Sequence, residues 1–279
     1  MNVVLARHFG MCFGVRDALR ATHALADRAP VTVLGELVHN PLVHDHLEQL
    51  GVRHGDLGAL ETAETRDVVI TAHGASDRDR ETWSRAGFRV SDTTCPLVRK
   101  AHERLRRLVA EGFHPVVIGC AGHVEVRGLT GDFPGADVVL TEEQVRSLPA
   151  RPRFGVVSQT TQPIVRVREL VAVLRETHPE SEVRFLDTVC QPTKDRQIAL
   201  EDLCRECDTV VVVGGRQSNN TGELVKAAER LGASAYHVTG PEELQRRWFI
   251  RSRNVGVTAG TSTLDETVQQ VFEALKAMG

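Results

Sequence analysis

Three short stretches around a cysteine constrain this chain more than anything else in it: Gly10-Met11-Cys12-Phe13-Gly14-Val15, Asp92-Thr93-Thr94-Cys95-Pro96 and Asp187-Thr188-Val189-Cys190-Gln191-Pro192. Each stands where an apolar, strand-like run gives way to a helical pattern. Val3-Val4-Leu5 precedes the first, Phe88-Arg89-Val90 the second and Val183-Arg184-Phe185-Leu186 the third. Pro96 and Pro192 fall where a first helical turn starts, a position that tolerates the missing amide. Beyond each cysteine by 27 or 28 residues, another apolar run ends in a polar loop, at His39, His123 and Ser218. A period repeated three times with that constancy predicts three related units, each delivering one thiol toward a shared point.

The rest of the chain fits that plan. In the first unit a helical stripe (Val15, Ala18, Leu19, Leu25, Ala26) precedes the strand Val31 to Leu34, which opens into the loop holding His39. A further strand, Val68 to Ile70, ends at Thr71-Ala72-His73-Gly74. In the second unit the stripe is Leu97, Val98, Ala101, Leu105, Leu108 and Val109, the strand Pro115 to Ile118 opens into Cys120-Ala121-Gly122-His123-Val124-Glu125, and Phe154 to Val157 ends at Ser158-Gln159-Thr160. The third has Val210 to Val213 opening into Gly214-Gly215-Arg216-Gln217-Ser218-Asn219-Asn220, and Val255 to Val257 ending at Thr258-Ala259-Gly260-Thr261-Ser262. Short, nearly continuous apolar strands alternating with helices predict an α/β fold with mainly parallel sheets covered on both faces. In such folds ligands gather at the carboxyl ends of strands, where all these loops lie. The expected units are 13–95, 96–190 and 191–279, the last completed by residues 1–12.

A chain of 279 residues has room for two or three cores. Its net charge of −3 gives no electrostatic footprint for nucleic acid or an anionic membrane. No apolar stretch approaches the roughly 20 residues that span a bilayer, and the N-terminus lacks a signal-peptide layout. The expected location is the cytoplasm, where thiols stay reduced. Six cysteines there point to metal or redox chemistry, or to core packing, before disulfides.

Three thiols from distant points, with no Cys-x-x-Cys pair among them, do not resemble a zinc ribbon. They suit a [4Fe-4S] cluster held by Cys12, Cys95 and Cys190, leaving one iron open, with helix N-termini favouring thiolate. The bland alternative, three cysteines packed at strand ends, explains one such residue better than three in repeated contexts. Cys204 and Cys207 do have the Cys-x-x-Cys spacing, but they share a helical stripe with Leu200 and Leu203 and read as core. Cys120 also reads as structural.

His39, His73 and His123 end strands in glycine-bearing loops, and Ser218, Asn220 and Ser262 occupy equivalent loops. As a set they are donors able to surround an anion, with helix N-termini adding to them. No Gly-Lys-Ser/Thr phosphate loop exists, so a diphosphate held by neutral donors and imidazoles fits better than a nucleoside triphosphate. Glu125 is the best-placed general acid, and Thr160 is placed to relay a proton or fix a substrate hydroxyl. A metal-dependent phosphate-ester enzyme using His123 and Glu125 as acid and base is the alternative.

The motifs Cys12-Phe13-Gly14-Val15, Val38-His39-Asn40, Ala72-His73-Gly74, Thr94-Cys95-Pro96, Gly122-His123-Val124-Glu125, Gln159-Thr160-Thr161, Ser218-Asn219-Asn220 and Ala259-Gly260-Thr261-Ser262 together resemble the 4-hydroxy-3-methylbut-2-enyl diphosphate reductases. That resemblance covers essentially the whole chain. It implies three α/β units in a pseudo-threefold arrangement around a central cluster, and reductive removal of an allylic hydroxyl to give isopentenyl and dimethylallyl diphosphates. It implies Cys12, Cys95 and Cys190 as cluster ligands and His39, His73, Ser218, Asn220 and Ser262 as the diphosphate site. Glu125 would be the proton donor, with His123 and Thr160 completing the relay. Asn219 stands where many members have serine, and its amide can still donate to phosphate. The chain stops at Gly279, without the longer tail of some relatives. Electrons must come from outside, from a donor such as ferredoxin or flavodoxin. The basic, aromatic stretch Arg246 to Arg253 reads as a solvated helix end, or alternatively as that donor's docking surface.

Overall fold

The computed structural model describes residues 1–279. The chain begins with β1 (Asn2–Leu5), α1 (Phe13–Ala26), β2 (Val31–Leu34), α2 (Pro41–Gln49), β3 (Arg53–Gly55), β4 (Asp67–Ile70), α3 (Asp77–Arg85) and β5 (Arg89–Asp92). It continues with α4 (Pro96–Ala110), β6 (His114–Ile118), α5 (Val124–Gly131), β7 (Asp137–Val139), α6 (Glu142–Arg146), β8 (Arg153–Ser158), α7 (Ile164–Thr177) and β9 (Glu182–Phe185). It ends with α8 (Gln191–Glu206), β10 (Thr209–Val213), α9 (Asn219–Arg230), β11 (Ser234–Val238), β12 (Asn254–Ala259) and α10 (Asp265–Met278).

The strands make three sheets of four, in the orders β3-β2-β4-β5, β7-β6-β8-β9 and β11-β10-β12-β1. Every pairing is parallel. The three orders are the same order, except that β1 fills the fourth place of the third sheet, in register Asn2 to Leu5 against Asn254 to Val257. The apolar runs work as expected for sheets covered on both faces. Val211 and Val213 enter one core with Val255, Val257 and Val268, while Val210 and Val212 enter another with Leu200, Leu203 and Leu224. In the second sheet Val116, Ile118 and Val156 face α7, and Val117 and Val157 face α4 and α5. Burying each such valine contributes on the order of 1.5–3 kcal/mol relative to leaving it in water.

By compactness the chain divides into two units. One comprises Met1–Val15, His39–Val43 and Gln191–Gly279, and holds the third sheet. The other comprises Arg16–Val38 and His44–Cys190, and holds the first two sheets. Within this second unit the first two sheets are tied together: the N-terminal amides of α3, from Asp77 and Arg78, donate to Asp132 at the end of α5. Gly128 lies against the backbone of Ala75, leaving only ordinary van der Waals room for a side chain. No helix is long and apolar enough to cross a membrane.

Candidate active site

The three cysteines occupy one local structure, repeated. Each follows the fourth strand of its sheet and immediately precedes a helix: Cys12 before α1, Cys95 before α4, Cys190 before α8. Each amide donates to the carbonyl of the residue two places past the end of the third strand. These bonds are Cys12 to Thr261 at 2.9 Å, Cys95 to Ala72 at 3.0 Å and Cys190 to Thr160 at 2.9 Å. The approach to two of them is fixed by the same aspartate turn. Asp92 accepts from the Thr94 amide at 2.9 Å and Asp187 from the Val189 amide at 3.1 Å. Burial alone would raise Asp92, but the Thr94 hydroxyl and amide with Arg80 and Arg99 hold it below its ordinary value.

Cys12 is held differently, by residues that sequence reading passes over. The Met11 amide donates to Asp265 at 3.0 Å. Arg196, buried on α8, donates from Nη2 to the carbonyls of Gly10 and Phe9 and from Nη1 to that of Pro192. An arginine in a helical pattern ordinarily signals solvent, so nothing in the sequence marks it as a brace for a loop far from it in the chain.

The donor residues fall into two local groups. In the unit holding the third sheet, Ser218 caps α9 by accepting from the Thr221 amide. Asn220 accepts from the Thr261 amide at 3.0 Å, and the Ser262 hydroxyl donates to the His39 carbonyl at 3.2 Å. Asn40 closes the same group by donating to the Ser262 carbonyl at 2.7 Å. Asn219 is the first residue of α9. A side chain on Gly215 would meet the His39 carbonyl at 2.5 Å, so only glycine allows that loop to lie so close.

In the other unit His73 and His123 meet edge to face, centroids 5.3 Å apart. His123 caps α5, its Nδ1 accepting from the Glu125 amide at 3.1 Å, which leaves Nε2 to carry the proton of the neutral ring. Glu125 is fully buried and gripped by one residue. The Thr160 amide donates to Oε1 at 2.6 Å and the Thr160 hydroxyl to Oε2 at 3.0 Å. Burial raises the Glu125 carboxyl to about 7, against the pull of those two hydrogen bonds. Glu125 and Asn220 lie equally far past the ends of β6 and β10, and each accepts from the same place in its own sheet.

Cys204 and Cys207 pack in an apolar core with Leu200 and Leu203, where burial pushes the Cys207 thiol up to about 11, too high for ready thiolate chemistry. Cys120, expected to be structural, is exposed instead. Trp248 stacks on Tyr236 with centroids 4.4 Å apart, and Phe249 is buried beside them. That leaves Arg246, Arg247, Ile250 and Arg251 at the surface.

Parallel α/β sheets, a thiol-bearing turn repeated in each, clustered neutral donors and one buried, proton-holding carboxyl define an enzyme whose chemistry sits at strand ends. The sequence matches the family described as LytB protein over residues 3–276, and the chain belongs to that family. It is 37% identical to a 4-hydroxy-3-methylbut-2-enyl diphosphate reductase of Saccharophagus degradans, an alignment covering 100% of this chain and 92% of that one. Identity to the reductase of the same name from Geobacter sulfurreducens is 36%, covering 98% of each. The E-1-hydroxy-2-methyl-but-2-enyl-4-diphosphate reductase of Plasmodium falciparum has a similar structure, with TM-score 0.92 at 26% identity over 99% of this chain and 88% of that one. A second solved structure, (E)-4-hydroxy-3-methyl-but-2-enyl diphosphate reductase, described as the terminal enzyme of the non-mevalonate pathway, gives a TM-score of 0.67 at 32% identity, covering 99% and 100% of the two chains.

Proposed function

We propose that this chain is a 4-hydroxy-3-methylbut-2-enyl diphosphate reductase, forming isopentenyl and dimethylallyl diphosphates, and that Cys12, Cys95 and Cys190 hold its iron–sulfur cluster. The observation that carries this reading is the threefold recurrence of one cysteine turn, each amide bonded to the same position of its sheet. Three thiols, each at a helix N-terminus that favours negative charge, are a donor set suited to a cluster with three protein ligands. The units 13–95, 96–190 and 191–279 with 1–12 then each contribute one ligand. Held there, a [4Fe-4S] cluster would relay the external donor's two electrons one at a time and offer an electrophilic iron.

The chain's own groups bind, orient and protonate. Ser218, Asn219 and Asn220 at the start of α9, with His39 and Ser262, hold the diphosphate by neutral hydrogen bonds, and the amides of the helix N-terminus add to them. His73 and His123 present imidazole donors to the same anion. Glu125, half-protonated near neutral pH, gives its proton to the departing hydroxyl, and the Thr160 hydroxyl passes it along. In balance, the allylic C–O bond breaks, two electrons and two protons enter, and one water leaves. One proton goes to that water and the other to either end of the allyl group.

Two electrons per turnover come from an external small redox protein, ferredoxin or flavodoxin, and the reducing cytoplasm suits such a centre. The surface of Arg246, Arg247 and Arg251 around exposed Ile250 is a basic patch matched to an acidic donor. Reversing Arg247 and Arg251 to glutamate is expected to lower donor-dependent turnover and flatten its salt dependence, leaving turnover with a small chemical reductant intact. Unchanged salt dependence would send the donor elsewhere.

The experiment that tests the function is anaerobic purification with iron and sulfide analysis, electron paramagnetic resonance and assay on the hydroxylated diphosphate. About four irons per chain and reductive turnover are expected, and Cys95→Ser removes both. A colourless protein, or one hydrolysing phosphate esters without iron, overturns the reading.

A further inference from the structure

We propose that His44, Glu48 and His54 form a second metal site, of the class that takes zinc, remote in sequence from the cysteine turns. His44 and Glu48 lie one turn apart on α2, on the same face, and His54 stands on β3, the edge strand of the first sheet. One ligand atom from each of the three lies within 4.8 Å of the others. His44 Nε2 and Glu48 Oε1 are 3.3 Å apart, which is about the spacing of two ligands on a tetrahedral ion with bonds of roughly 2.0–2.1 Å. The His44 and His54 rings are 3.9 Å apart, tilted by 36°.

An ion pair between His44 and Glu48 would account for those two residues alone. It does not account for His54, whose two ring nitrogens are both buried; the Gly35 backbone serves at most one of them, which leaves the other without a partner. A buried imidazole nitrogen without a partner is costly, and a metal bond removes that cost. Burial and the neighbouring His44 ring also lower the proton affinity of His54, keeping a lone pair available. Two imidazoles and one carboxylate on a half-exposed face favour zinc or a neighbouring late first-row ion over calcium or magnesium. Leu47 and Val52 already anchor α2 and the turn after it in the apolar interior. The ion would add a clamp between helix and edge strand on a helix that begins one residue past Asn40.

The test is zinc binding by the anaerobically prepared protein, with its cluster loaded, read by equilibrium dialysis and X-ray absorption. One zinc per chain is expected, with a nitrogen and oxygen shell at roughly 2.0–2.1 Å and no sulfur shell near about 2.3 Å. His44→Ala and His54→Ala should each weaken binding by more than the roughly 10–100-fold that changes outside the ligand shell cost, and Cys120→Ser should leave it unchanged. His44 is half-exposed, so its replacement keeps the fold even if that of His54 does not. A sulfur shell, no bound zinc, or affinity unchanged by His44→Ala overturns the proposal.

Discussion

Glu125, the proton donor proposed above, also bears on stability. Its carboxyl keeps a proton in the fold up to about 7, whereas an ordinary glutamate releases it near 4.5. Between those values the native chain binds more protons than the unfolded one, so stability falls as pH rises through that window, by on the order of 3 kcal/mol. Glu125→Gln should abolish that slope, measured by denaturant unfolding at pH 4.5 and 7.5. The same substitution should lower turnover by roughly 10²–10⁴, the usual worth of a positioned general acid. In the unsubstituted enzyme turnover should decline as pH passes about 7, where Glu125 loses its proton. Thr160→Val removes the hydroxyl that donates to Oε2 at 3.0 Å and helps keep the carboxyl acidic. The alkaline limb of its pH–rate profile should therefore move to higher pH; a limb that stays or moves down contradicts this account.

At the scale of elements, the inner strands and their loops were legible in the chain, because parallel strands buried on both faces are continuous apolar runs, whereas the edge strand β11, mixed and partly exposed, was not. Val210 to Val213 needs no other argument. Helix α3 was not legible, since only Trp83 of its nine residues is buried and no stripe marks it. The three-residue edge strands β3 and β7 are too short to show a period. The site divides the same way. Cysteine, histidine and Glu125 declare themselves by type and spacing, but the brace from Arg196 to the loop before Cys12 depends on a tertiary contact across some 180 residues. Arg196→Met keeps the helix and much of the volume but leaves the Gly10 and Phe9 carbonyls without their donor. A loss of about 1–3 kcal/mol is expected, with iron occupancy falling while circular dichroism stays native.

For the whole molecule, β1 supplies to the third sheet what β5 and β9 supply to the others. The chain ends match that relation, for a methyl placed on Gly279 would lie 3.2 Å from the Met1 amino nitrogen. Joining Gly279 to Met1 through a short glycine linker, and opening the chain between exposed Pro134 and Gly135, should give a folded permutant that melts within a few degrees of the parent. A permutant that does not fold would mean that the break before β1 is needed by the native topology.

Because the first strand made pairs only with the last, translation imposes an order on assembly. At roughly 5–20 residues per second, the β1 segment leaves the ribosome about 10–50 s before Asn254 to Ala259 can receive it. Throughout that interval the Cys12 amide lacks its acceptor on Thr261. The Cys12 turn, first of the three to be synthesised, is therefore the last that can close, and any group that needs all three turns must wait for β12.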